Sequence, residues 1–121
     1  MGADVKQLRA WQCAVDLCER IYRETSSFPA AERFGLTAQL RRACLSVPSN
    51  LAEGYGRGTR REYRQFVRIA RGSACEVETQ IILGQRLGFF SETTAADLLE
   101  YVDQLRRMLT GLVRSLGDDP S

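Results

Sequence analysis

From Leu8 onward the apolar residues Trp11, Ala14, Val15, Cys18, Ile21 and Tyr22 recur three and four positions apart. That spacing puts them on one face of a helix, with Asp4 placed to cap its start. Thr25–Pro29 reads as a loop, and Pro29 suits the first turn of the next helix. In that second segment Leu36, Leu40, Cys44, Val47 and Leu51 share a face. Pro48 falls inside the pattern, removes a backbone donor and predicts a kink or short break near 46–49. The glycines Gly54, Gly56 and Gly58 favour backbone angles that helices avoid, so they are expected to end it. Thr59 and Glu62 then fit a capping box for a third helix whose inner face is Tyr63, Phe66, Ala70, Ala74, Val77 and Ile81. Ser91 and Glu92 open a fourth, with Leu98, Val102, Leu105, Leu109, Leu112 and Leu116 in series. Helices are thus predicted over about 5–26, 30–55, 59–87 and 92–116, with a polar tail at 117–121.

Four amphipathic helices joined by short loops predict an all-α, antiparallel up-down-up-down bundle, a single domain over 1–121. The apolar positions exceed what one bundle needs. Leu17, Phe34, Ile82, Leu83, Phe89 and Phe90 lie off the inner stripes or at a helix end, as do Cys13 and Leu45. A helix that is apolar nearly all round is buried on more than one side. The first six residues are therefore expected to form the interface of a homo-oligomer.

Composition narrows the chemistry. The 121 residues are 44% hydrophobic and 26% charged, with no histidine. These are ordinary globular values, and no apolar run approaches the ~20 residues of a membrane span. Without histidine there is no Ser/His or Cys/His nucleophile pair, no His-ligated metal and no His general base. The four cysteines, Cys13, Cys18, Cys44 and Cys75, form no CxxC pair and read as reduced, structural thiols. The segment Met1–Gln7 is polar and carries no secretory pattern, so the expected compartment is the cytoplasm. No catalytic residue, metal or cofactor is expected.

Charge supplies the strongest constellation. Between Arg41 and Arg71 there are eight arginines against only Glu53 and Glu62, whereas the remainder of the chain has nine basic and thirteen acidic residues. At about 100° per residue, Arg64, Arg68 and Arg71 fall within about 80° of Arg60 on one helical face. Arg57 joins the stripe if the third helix starts early, and Arg41 and Arg42 sit on the preceding helix. Such a face could track a phosphate backbone without reading sequence. The same guanidiniums could equally form salt bridges within and between subunits.

The blocks Gly35-Leu36-Thr37-x-Gln39-Leu40-Arg41-Arg42-Ala43, Ser46-x-Pro48-x-Asn50-x-Ala52-Glu53-Gly54-x-Gly56-Arg57, Glu62-Tyr63-x-x-Phe66 and Ile69-Ala70-x-Gly72-Ser73-x-x-Glu76-x-Glu78 carry a resemblance over about Leu8 to Leu116. They resemble the bacterial four-helix bundle proteins of the 23S rRNA intervening-sequence (S23) family, related to the accessory variability determinant proteins of diversity-generating retroelements. The resemblance implies a four-helix bundle, a cyclic homo-pentamer with a central channel, and no enzymatic activity. Its retroelement members bind nucleic acid and a reverse transcriptase through basic surfaces. It thus names further copies of the chain, RNA or DNA, and a nucleic-acid enzyme as candidate partners, and no membrane. Within the motif, Ser46 and Asn50 are placed to satisfy backbone groups freed by Pro48, and Glu53 to pair with an arginine.

Overall fold

The computed structural model describes residues 5–117. It is a bundle of four helices: α1 (Arg9–Thr25), α2 (Leu36–Gly56), α3 (Arg60–Arg86) and α4 (Glu92–Ser115). Each helix packs on the next and α1 closes against α4, while the backbones of the two diagonal pairs stay further apart among the described residues. Contacts between Cys18 and Cys44, Ser46 and Ser73, Glu78 and Arg106, and Asp16 and Tyr101 run the helices antiparallel around the square. Among the described residues there is no strand, and no helix is long and apolar enough to cross a membrane.

Local chemistry sets the ends. Thr59 Oγ1 accepts from Glu62 N at 3.2 Å and Ser91 Oγ from Thr94 N at 3.1 Å, so α3 and α4 begin at side-chain caps. The predicted cap Asp4 and most of the tail, 118–121, lie outside the described residues. The second helix starts later than its periodicity suggests. Ala30–Glu32 forms a separate 3-10 turn, and Gly35 (φ −101°, ψ −118°) departs from helical geometry. Gly35 has no side chain to cap with, and Glu32 Oε1 supplies the acceptor for Leu36 N at 3.0 Å.

Pro48 does not break α2, which continues through it to Gly56. The carbonyl that loses its partner is four residues back, at Cys44. Cys18 Sγ of α1 donates to it at 2.9 Å. The substitute donor thus comes from a neighbouring helix rather than from Ser46 or Asn50. Those two serve the α2–α3 contact instead: Asn50 Nδ2 donates to Ser46 O (2.7 Å) and Oγ (2.9 Å), and Ser46 Oγ lies 2.9 Å from Ser73 Oγ. Gly54 also has a role other than the expected stop. It is buried inside α2, and a Cβ there would sit 2.5 Å from Phe66 Cβ. Its missing side chain sets how closely α3 approaches.

Core assignments shift by part of a turn. On α1 the buried face is Ala10, Cys13, Ala14, Leu17, Cys18 and Ile21, while Trp11 and Val15 are half-buried and Tyr22 is exposed. Ala10, Cys13, Ala14 and Cys18 on that face are small, which lets α2 and α4 approach together. On α3 Val67 takes the core place expected for Phe66, which packs at the rim beside Gly54. On α4 Val113 is buried and Leu112 and Leu116 are half-buried.

Three residues expected off the inner stripes, Cys13, Leu17 and Phe90, belong to this core. Leu17 is 1% exposed. Phe90 is 4% exposed and packs edge-on to Phe28, their ring centroids 4.7 Å apart, with half-buried Phe89 at 5.3 Å from Phe28. The three rings plug the end of the bundle where the α1–α2 and α3–α4 loops meet. Gly84 makes room, since a Cβ there would lie 2.8 Å from the Phe90 ring, and Gly84 O accepts from Phe89 N and Phe90 N.

Candidate nucleic-acid interface

The seven arginines singled out by sequence divide into those tied into the fold and those facing outward. Arg41 is turned to α1. Its Nε donates to Thr25 Oγ1 (3.0 Å), its Nη2 to Tyr22 O (3.2 Å), and its guanidinium lies 4.7 Å over the Tyr22 ring. Tyr22 O is among the carbonyls left open at the end of α1, so Arg41 caps that end, where a cation is favoured. Arg60 does the same for α4, donating to Ser115 O at 3.2 Å. Arg57 pairs with Glu53 at 3.0 Å and Glu62 at 3.8 Å, and stacks over Phe66. Arg42 donates to Gln39 on its own helix at 2.6 Å.

Along α3 Arg64 is half-buried and engaged, while Arg68 faces outward and Arg71 sits half-buried on the side of α3 that meets α4. One open concavity on α3 is lined by Arg61, Arg64, Gln65, Arg68, Ile69, Arg71, Gly72 and Cys75. A second, between α3 and α4, is lined by Arg71, Cys75, Asp103, Arg106, Arg107, Thr110, Gly111 and Arg114. They share Arg71 and Cys75. Together they present seven arginines against one lining carboxylate, Asp103.

The three α4 arginines are absent from the sequence reading. Helical spacing groups residues within one helix; it does not show which face of α4 comes to lie beside Arg71. The arginines at 106, 107 and 114 were visible only as scattered cations among acidic neighbours. In the fold Arg106 pairs with Glu78 of α3 at 2.9 Å, and Arg107 with Asp103 at 3.0 Å. Arg68, Arg71 and Arg114 have no hydrogen-bonding or ion-pair partner among the described residues. Arg71 is in addition half-buried.

The cysteines also sort differently from expectation. Cys13, Cys18 and Cys44 are buried, but Cys75 is exposed in the arginine-lined crease. Burial pushes the Cys13 thiol up, and the hydrogen bond at Cys44 together with burial pushes Cys18 up, so both stay protonated and inert. Among the described residues no group of three or more Cys, Asp or Glu side chains could hold a metal.

Of the surface apolar candidates, Phe34 is 84% exposed, and Ile82 and Leu83 are exposed as well. Leu45, Ile69 and Leu87, on α2 and α3 or just beyond it, add to the same outer surface. The block around Pro48 is occupied with the contacts described above. Asn50→Leu should therefore destabilise by about 1–3 kcal/mol in a denaturant melt, because Ser46 loses its donor. Glu53→Leu should shift the melt by less than about 1 kcal/mol, since the Glu53–Arg57 pair is a half-exposed one-turn contact. That is a smaller effect than a buried partner would give.

An antiparallel four-helix bundle with a basic α3–α4 face is the class these features define. The family model described as 23S rRNA-intervening sequence protein matches residues 6–111, and the chain belongs to that family. A crystal structure of a protein of unknown function from the S23 ribosomal protein family of Bacteroides thetaiotaomicron superposes with a TM-score of 0.78. It covers 87% of this chain and 98% of its own, at 17% sequence identity, and so shares the fold. No curated protein matches the chain.

Proposed function

We propose that this protein is a non-enzymatic cytoplasmic scaffold that assembles into a cyclic homo-oligomer and presents its α3 arginine face to RNA or DNA, alone or with a nucleic-acid enzyme. The observation that carries the reading is the unpaired state of Arg68 and Arg71 on one exposed helical face. Of the other arginines that the sequence groups with them, Arg41 and Arg60 cap helix ends and Arg57 pairs with carboxylates. A face of unpaired guanidiniums attracts polyanions and requires no particular base sequence. Assembly is supported by Phe34, Ile82 and Leu83, which remain exposed after the bundle has buried its own core. Five copies is the number implied by the family resemblance. In a ring each copy repeats the basic face, so weak single-site contacts add through multivalency.

The test is a pair of measurements on the full chain and on Arg64→Ala/Arg68→Ala. Light scattering should give a mass several times 13.6 kDa for both proteins. A labelled RNA of arbitrary sequence should bind the wild type at low salt and the variant far more weakly. If the variant loses its assembly together with its binding, the rival reading, an interaction module whose arginines bridge subunits, takes its place.

A further inference from the structure

We infer that the ligand's phosphodiester backbone runs across the two adjoining concavities, from the outer face of α3 into the crease between α3 and α4, held by Arg68 on the first, Arg114 on the second and Arg71 on both, with its bases unread. This rests on the nucleic-acid reading above and adds where the strand sits and which part of it is recognised. Arg71 is the arginine the two concavities share at their basic centre. It lines both concavities and is half-buried, yet no carboxylate among the described residues reaches it. Partial burial of an unpaired cation is unfavourable, and an anion entering the crease relieves it. Arg106 and Arg107, on the same crease, already hold Glu78 and Asp103.

The shape of the charged region selects an extended ligand. From Arg64 to Arg71 the guanidiniums follow about 10 Å of α3, and from Arg107 to Arg114 about 10 Å of α4, at 1.5 Å per residue. A lone phosphate or a mononucleotide would engage one end only, whereas a chain of phosphates engages the whole strip. No Phe, Tyr or Trp lines either concavity, so the crease lacks the stacking platform with which single-strand binders hold bases. Recognition falls to the backbone, which every sequence shares.

Cys75 makes the placement measurable. It lines both concavities and is the exposed thiol, the other three being buried. The assembled full-length protein is treated with N-ethylmaleimide, with and without a saturating 20-nucleotide oligouridine, oligoadenosine or mixed-sequence RNA. Each RNA should slow Cys75 modification severalfold and to a similar degree. Arg71→Gln and Arg114→Ala should each flatten the slope of log affinity against log salt by about 0.7. Arg86→Ala, which removes the same charge outside the crease, should leave it unchanged. RNA that binds without protecting Cys75, or with the salt slope intact in Arg71→Gln, overturns the crease and leaves the nucleic-acid reading standing. Strong preference for one homopolymer overturns the unread bases. If no RNA binds at low salt, the broader reading falls and this inference with it.

Discussion

Gly54→Ala should destabilise the bundle by about 2 kcal/mol, although alanine is the better helix former by about 1 kcal/mol. The added Cβ would lie 2.5 Å from Phe66 Cβ and 3.3 Å from Tyr63 O. Neither is the end of a flexible side chain, so the α2–α3 interface itself must open. Overpacking of this kind typically costs about 1–3 kcal/mol or more, and the contact is tight enough to outweigh the propensity gain. Gly56→Ala, two residues further along α2, meets nothing within 4 Å. It should be neutral or slightly stabilising. Guanidinium melts of the two variants separate a packing glycine from a permissive one. Equal behaviour of the pair would mean that α3 does not approach α2 as described.

The second large effect couples two helices through one carbonyl. Cys18→Val removes the thiol donor that replaces the missing Pro48 N–H, leaving Cys44 O buried without its partner, and should cost about 1–3 kcal/mol. Cys18→Ser keeps a donor and should cost less. In a Pro48→Ala background residue 48 regains its N–H and can close the helical bond to Cys44 O. The penalty for Cys18→Val should then shrink, giving a coupling of about 1 kcal/mol in the double-mutant cycle. Additive behaviour would show that Cys18 acts only as core filler.

Both effects bear on what a single sequence discloses. Four helices, their antiparallel order and their caps at Thr59 and Ser91 follow from apolar spacing and local hydrogen-bonding chemistry, which act within a few residues. Leu17 and Cys13 lie off the expected stripe for a different reason, and Phe90 sits in a loop where helical spacing says nothing. Each helix of a square bundle touches two neighbours, so its buried arc is wide, and periodicity cannot choose the centre of a wide arc. Cys18 and Gly54 act across helices, on partners 26 and 12 residues away in the chain, and Gly84 makes room for Phe90 of the following loop; no local pattern announces such pairs. The basic stripe on α3 was legible because its members share one helix. Its completion by Arg114 was not, because that requires knowing which face of α4 lies beside Arg71. Conversely, Arg41, Arg57 and Arg60 look like members of the stripe by type, yet the fold spends them on helix ends and neighbouring carboxylates.

That division of the arginines gives the function a quantitative form. Caps and ion pairs hold their guanidiniums in place, so release of counterions falls mainly to Arg68, Arg71 and Arg114. Three phosphates neutralised on a single strand give a slope of log affinity against log salt of about −2 per protomer engaged. An account in which every basic residue of the face contributed would give a much steeper line. The most direct measurement is therefore the affinity of the assembled wild-type protein for a mixed-sequence single-stranded RNA, titrated from low to physiological salt. The account predicts binding at low salt with a slope near −2 for each protomer in contact. Absence of binding at low salt, or an affinity that does not change with salt, would contradict it.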